Sequence, residues 1–214
     1  MEWWVFPAYG LVEYMSDIAL SEPISRAADN TLISAYLEGN EYAFEVLMNR
    51  YQDRLVNYLN QLIHDFDMSV DLAQEAFVRV YRNANRYQGQ YQFSTWLYRI
   101  ATNLAIDEMR RRQRKGRVFF HNVMNWTLRD DGIYALPDLT HSPEKLLDKT
   151  EKLKRLQGAM DSIPEKYRLA FVLKEAQEFS YEETSRILGV SLGTVKSRVH
   201  RAKLLLREKL TGVL

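Results

Sequence analysis

Phe44, Leu47, Tyr51, Leu55, Tyr58 and Leu62 recur at steps of three and four residues. Only a helix of 3.6 residues per turn gathers such a set on one face, and a stripe that long must be buried against other helices. Residues 65–69 break the pattern, with Ser69 placed as the cap of the next helix. That helix carries Ala73, Ala76, Phe77, Val80 and Ala84. Residues 87–92 (YQGQYQ) read as a polar loop, and Ser94 is placed as the cap of a third helix bearing Leu97, Ile100, Ala101, Leu104 and Met109. Three or four such helices over residues 29–115 make one compact bundle.

Residues 116–144 lose the period and read as an extended linker. Ser142-Pro143-Glu144 then supplies a cap, a preset first turn and an acid suited to a helix start. Ser162 with Glu165, and Ser180 with Glu183, have the spacing of capping boxes. The expected fold class is therefore all-α: two small helical domains, 29–115 and 145–214, joined by the linker. Nine Gly and five Pro leave little room for a turn-rich β fold.

Residues 1–28 form an N-terminal extension of a different character. The opening MEWWVFPAYGLVEYM lacks the basic start, the continuous apolar run and the small-residue cleavage site of a signal peptide. Met15 followed by SDIALSEP reads as an ordinary polar start, so translation is expected to begin there. No stretch of about 18 apolar residues is present to span a membrane.

The formal charge is +1, from 29 bases and 28 acids, but it is unevenly spread. Residues 29–78 hold nine acids against Arg50 and Arg54. Residues 79–117 hold ten bases against Asp107 and Glu108, and residues 191–214 hold six bases against Glu208. Neutrality is a cancellation of separate surfaces. Single charge runs are often solvated helix faces, but two basic blocks on amphipathic helices point to a polyanion.

Residues 180–207 read SYEETSRILGVSLGTVKSRVHRAKLLLR. A capped helix ends at Gly189, whose missing Cβ admits the left-handed turn, and Ser191 caps a second helix at once. Ile187, Leu188, Leu192, Val195, Val199, Ala202 and Leu206 make a buried seam, which is the plan of a helix–turn–helix. The outer face holds Thr194, Lys196, Ser197, Arg198, His200, Arg201 and Lys203. Such cations and hydroxyls near a helix N-terminus suit phosphates and guanine edges in a major groove.

This motif resembles the promoter-reading helix–turn–helix of sigma-70 family RNA polymerase sigma factors. DLAQEAFVRVYRN (71–83) and FSTWLYRIATNLAIDEMRRR (93–112) resemble the other sigma domain, region 2. Order, spacing and length are similar to the small extracytoplasmic-function (ECF) subgroup, over roughly residues 30–115 and 145–210. The resemblance implies a cytoplasmic specificity subunit that binds core RNA polymerase, directs it to promoters and helps open the DNA. It places Asp71, Gln74 and Glu75 on the clamp helices of the largest polymerase subunit, with the C-terminal domain toward the flap. A carboxylate face suits basic partners; equally, Asp71 and Glu75 favour a helix start.

For the minus-ten element, captured as single strand, the resemblance assigns the loop 87–93 and the following helix. Gln88, Gln90, Tyr91, Phe93 and Asn103 are the base-pocket candidates; Arg99, Arg110, Arg111 and Arg112 are the phosphate candidates. Trp96 fits packing better than stacking. Thr194, Lys196, Ser197, Arg198, His200 and Arg201 match the reader of the minus-thirty-five element. Lys196 stands where the family often has Arg, which allows a single contact rather than a bidentate one. Asp130, Asp131 and Asp138 of the linker would mimic RNA near the polymerase active centre. An anti-sigma protein is the implied regulator.

Zero cysteines exclude a thiolate zinc site and a Cys nucleophile. His64, His121, His141 and His200 are dispersed without metal-ligand spacing, and no Gly-rich phosphate loop is present. The expectation is no enzyme, no catalytic residue, no metal and no cofactor. The alternative is a free-standing helix–turn–helix regulator of duplex operators, which would have no use for the acidic helix, aromatic loop and Arg-rich helix of the first domain.

Overall fold

The structure is a computed structural model and describes residues 24–87, 89–120 and 158–211. Seven main helices are present among them. Helices α1 (Asp29–Leu37), α2 (Glu41–Ile63), α3 (Phe66–Asn83) and α4 (Phe93–Phe120) form the first bundle. Helix α5 (Glu165–Phe171) runs into a π-helical turn (Val172–Ala176), and α6 (Tyr181–Leu188) and α7 (Leu192–Thr211) follow. The described residues contain no strand. Residues 1–23, Gln88, and the linker from 121 with Asp130, Asp131, Asp138 and the Ser142-Pro143-Glu144 start lie outside the described residues.

The α2 stripe is buried as its period requires. Leu47, Leu55, Tyr58 and Leu59 have no exposure and meet Ala76 and Val80 of α3 and Leu97 and Ala101 of α4 in one apolar cluster. Tyr58 keeps its hydroxyl dry by bonding Thr102 Oγ1 at 2.7 Å, while Thr102 donates to the Tyr98 carbonyl at 2.6 Å. Burial pushes the Tyr98 phenol up to about 12. Asp29, at the start of α1, accepts from Arg50 and Tyr51 of α2, which ties the first helix down.

Three expected caps are displaced. Helix α3 starts at Phe66 with Asp65 as its cap, Met68 N–H donating to Asp65 Oδ1 at 3.0 Å. Ser69 is fully buried within the helix and bonds back to the Asp65 carbonyl at 2.6 Å. The carboxylate three residues ahead of Met68 wins because a charged acceptor binds orphan N–H groups more strongly than a hydroxyl. Helix α4 starts at Phe93, so Ser94 lies inside it. Ser162 donates its hydroxyl to the Ala159 carbonyl, leaving Pro164 at the start of α5 without a side-chain cap. Helix α4 also continues to Phe120, into the stretch expected to be linker, because the basic run is made largely of good helix formers.

At the far end of the bundle Glu108, with a side chain only 7% exposed, accepts from Arg111 at 2.6 Å and Arg112 at 2.8 Å. Arg112 also reaches Asp65 Oδ2 at 2.7 Å and the Ile63 carbonyl at 3.3 Å, joining α4 to the α2–α3 turn. Arg111, then Arg112, hold the Glu108 carboxyl below its ordinary value; Met68 N–H, then Arg112, do the same for Asp65. Both carboxyls are thus easier to ionise when folded. Their contribution is complete above the unfolded values near 4 and is lost as pH falls through the lower folded values. The urea midpoint is expected to drop between pH 6 and 3, and to drop less in Arg112→Ala. Equal slopes for both proteins would refute this role for Arg112.

The helix–turn–helix forms as its sequence dictates. Ser180 and Glu183 exchange both capping-box hydrogen bonds, at 3.1 and 2.8 Å. Gly189 ends α6 at φ 64°, and Ser191 receives the Thr194 N–H at 3.2 Å to start α7. Ile187, Val195, Val199, Ala202 and Leu206 are buried, and Leu188 and Leu192 half-buried, as the seam predicts.

Candidate nucleic-acid and polymerase interfaces

One exposed face of α3 carries Asp71, Gln74, Glu75, Val78 and Tyr81. Because the helix starts at Phe66, Asp71 lies beyond its first turn, where the dipole no longer favours a carboxylate. The helix-start explanation of Asp71 and Glu75 therefore fails. Glu75 pairs with Arg79 at 2.7 Å, an exposed i,i+4 contact worth about 0.5 kcal/mol at most. Val78 is 40% and Tyr81 47% exposed, so the face has an apolar centre beside its acids. Tyr81 is braced by Tyr36 and Phe44, each with centroids 5.4 Å from its own. Both residues were missed in the sequence. The available signal was that they are apolar and fall off the Ala73–Phe77–Val80 stripe.

A second constellation surrounds the loop before α4. A cleft of about 320 Å³ is lined by Arg86, Tyr87, Gly89, Gln90, Tyr91, Thr95, Trp96 and Arg99, with Arg186 and Gly189 from the helix–turn–helix. The Tyr87 hydroxyl reaches Asn30 Oδ1 at 2.6 Å and the Tyr91 carbonyl, pinning the loop onto α1. Trp96 is half-buried, with its ring 5.3 Å from Tyr87 and tilted by 30°, so it both packs and lines the cleft. The Thr95 hydroxyl is buried with no hydrogen-bond partner among the described residues.

Three of the expected DNA residues are placed elsewhere. Phe93 has no exposure; it lies beneath the cleft against Tyr51, Tyr87 and Trp96 and cannot offer a face to a base. Arg112 is engaged by two carboxylates and a carbonyl, and Arg111 is bidentate on Glu108, whereas Arg99 and Arg110 make no ion pair among the described residues. The four arginine candidates look equivalent in the sequence; a buried Glu108 on the same helix distinguishes Arg111 and Arg112 from the other two. Arg99, Asn103 and Arg110 remain exposed along one face of α4, continuous with Trp96. Arg86 and Thr95 join the cleft without having been expected there.

On α7, Lys196, Ser197, His200 and Arg201 are exposed and Arg198 and Thr194 half-buried. Thr194 and Ser197 hydroxyls are used locally, by Ser191 at 2.8 Å and the Thr194 carbonyl at 2.9 Å. Lys203 pairs with Glu175 at 3.0 Å while staying exposed. Arg198, His200 and Arg201 make no ion pair among the described residues. They occupy the N-terminal half of the second helix, the part that enters a major groove.

The fold and these surfaces define an all-helical protein with one acidic, partly apolar face and two faces rich in exposed cations. Known proteins of similar sequence and fold agree. Residues 47–115 match the model of sigma-70 region 2, and residues 153–206 that of sigma-70 region 4. The chain is 31% identical to the RNA polymerase sigma-H factor of Pseudomonas aeruginosa, over 84% of this chain and 92% of that one. It is 32% identical to the ECF RNA polymerase sigma factor SigW of Bacillus subtilis, over 81% and 91%. Among solved structures it shares the fold of CnrH in complex with the cytosolic domain of CnrY (TM-score 0.65, 21% identity, 88% of this chain and 100% of that one). It also shares that of the sigma factor RpoE of Bartonella quintana bound to the anti-sigma factor NepR (0.59, 23%, 80% and 98%). The chain belongs to the ECF sigma factors of the sigma-70 family. It is a sigma factor that directs RNA polymerase to specific promoters. The family is in general not enzymatic, and no described helix is long and apolar enough to cross a membrane.

Proposed function

We propose that three faces divide the work. The α3 face of Asp71, Gln74, Glu75, Val78 and Tyr81 docks on the clamp helices of the largest polymerase subunit. The cleft under the 87–92 loop captures an unpaired base of the minus-ten element while Arg99, Asn103 and Arg110 follow the strand. The α7 face of Lys196, Arg198, His200 and Arg201 reads the minus-thirty-five element. The carrying observation is the cleft: three aromatic rings and two arginines of one bundle around a space with room for a base. Opening then needs no nucleotide hydrolysis, because binding energy for the captured base offsets the cost of unstacking it. No catalytic role is assigned to any residue of this chain, in the cytoplasm or elsewhere. An anti-sigma protein is the regulator this reading supports, since CnrH and the Bartonella RpoE are both held by protein partners.

The test is transcription in vitro: the chain is added to core polymerase with a genomic template library, and starts are mapped. New starts with shared sequences at both elements are expected. No new starts, with tight binding of the chain alone to duplex DNA, would instead establish a free-standing regulator.

A further inference from the structure

Asp and Asn are among the best residues for capping a helix start, yet the pair that opens α1 is not used that way. The cap of α1 is Ala28, which makes no side-chain cap bond, and Asp29 and Asn30 follow it. Both side chains instead reach across the bundle. Asp29 accepts from Arg50 and from the Tyr51 hydroxyl, and Arg50 also donates to the Ser25 and Ala27 carbonyls, each at 3.0 Å. Asn30 meets the Tyr87 hydroxyl at 2.6 Å, 57 positions along the chain.

The two contacts lead to the same place. Tyr51 packs on Phe93 with centroids 5.6 Å apart, and Phe93 lies against Tyr87 and Trp96 at 6.2 Å from each. Tyr87 in turn holds the Tyr91 carbonyl, on the far side of Gly89, whose φ of 67° turns the loop back. Of the three aromatic side chains lining the cleft, Tyr91 is the most exposed.

A phenol has one proton to give, and here it has two polar neighbours. The Asn30 amide carries its oxygen and its NH2 at equal reach. A half-turn lets the amide donate to the phenol oxygen while the phenol donates to the Tyr91 carbonyl. Both bonds are then complete, and the side chain that closes the loop is Asn30. A loop held beforehand in its receiving shape binds more tightly, because it has less conformational freedom left to lose.

Building on the sigma reading above, we propose that Asn30 is a positioning residue for base capture. It touches no DNA. It fixes Tyr87 and, through the Tyr91 carbonyl, the ring on which the unpaired base stacks. Asp29 holds the first turn of α1 in the register that this contact needs.

Holenzyme assembled from the full chain and core polymerase is titrated with a labelled minus-ten non-template strand. Asn30→Leu keeps the size of an exposed side chain and removes its polar atoms. Binding is expected to weaken about three- to tenfold, the loss of roughly one hydrogen bond. Tyr87→Phe keeps the ring and removes the hydroxyl, and should weaken binding at least as much. The double variant should be no weaker than Tyr87→Phe alone, because both substitutions break one chain of bonds. Capture on core polymerase and binding of a minus-thirty-five duplex should stay native for Asn30→Leu, which a general loosening of the bundle would not allow. Native-strength strand binding by Asn30→Leu, a double variant weakened by the product of the two single losses, or an equal loss of polymerase capture overturns the positioning role alone. A native holoenzyme that does not bind the strand overturns the sigma reading and this inference together.

Discussion

Asp71→Lys combined with Glu75→Lys is expected to weaken binding to core RNA polymerase by roughly thirtyfold or more, the equivalent of about 2 kcal/mol for charges facing basic partners. The two side chains are exposed and lie on one face of α3, so reversal leaves the bundle's core untouched. Lys at position 75 also exchanges the Arg79 pair for a repulsion, a small effect beside the loss of the partner's cations. Val78→Ala and Tyr81→Ala should weaken binding further, because an apolar centre carries more interface energy than its rim. Arg198→Ala with Arg201→Ala should leave polymerase binding intact. Taking one guanidinium away from a guanine edge costs about 1–3 kcal/mol, so promoter-directed starts should fall by roughly thirtyfold or more. Affinity capture on core polymerase and run-off transcription separate the two sets. If both sets lose the same property, the division of faces is wrong.

Phe93→Ala is expected to destabilise the first bundle by about 3–5 kcal/mol, the usual cost of removing a fully buried aromatic ring. For a bundle of this size that lowers the melting temperature by roughly 4–8 °C per kcal/mol. The ring has no exposure and supports Tyr51, Tyr87 and Trp96 from below. Phe93→Leu, which keeps most of the volume, should retain most of the stability and most of the binding to single-stranded DNA. Tyr91→Ala should do the reverse: its ring is 48% exposed, so melting barely moves while binding to the strand falls. A Phe93→Leu protein that melts normally but has lost strand binding would return Phe93 to the base pocket. Calorimetry and fluorescence anisotropy on the same samples decide it.

The helical fold class, the two-domain order and the helix–turn–helix were legible because their signals are local. A three- and four-residue apolar period, a Ser180–Glu183 box and a glycine at φ 64° each act within a few positions of the chain. Caps were less legible where two acceptors competed. Asp65 displaced Ser69 from the start of α3, and that shift of four residues changed the reading of Asp71. The acidic and basic segments were visible, but which cation faces outward was not. Arg112 finds Asp65 from 47 positions away, and Glu108 is buried only because α4 packs on the turn between α2 and α3.

By itself, then, the sequence determined the helices, their buried stripes, the segregated charge and the motif that marks the family, since all of these follow from backbone periodicity and neighbouring side chains. Tertiary structure decided the rest. It took Phe93 into the core, engaged Arg111 and Arg112, joined Val78 and Tyr81 to the acidic face, and set Asn30 against Tyr87. The physical reason is distance along the chain: each of these outcomes depends on a partner that only packing brings near, and helical period carries no information about which partner that is.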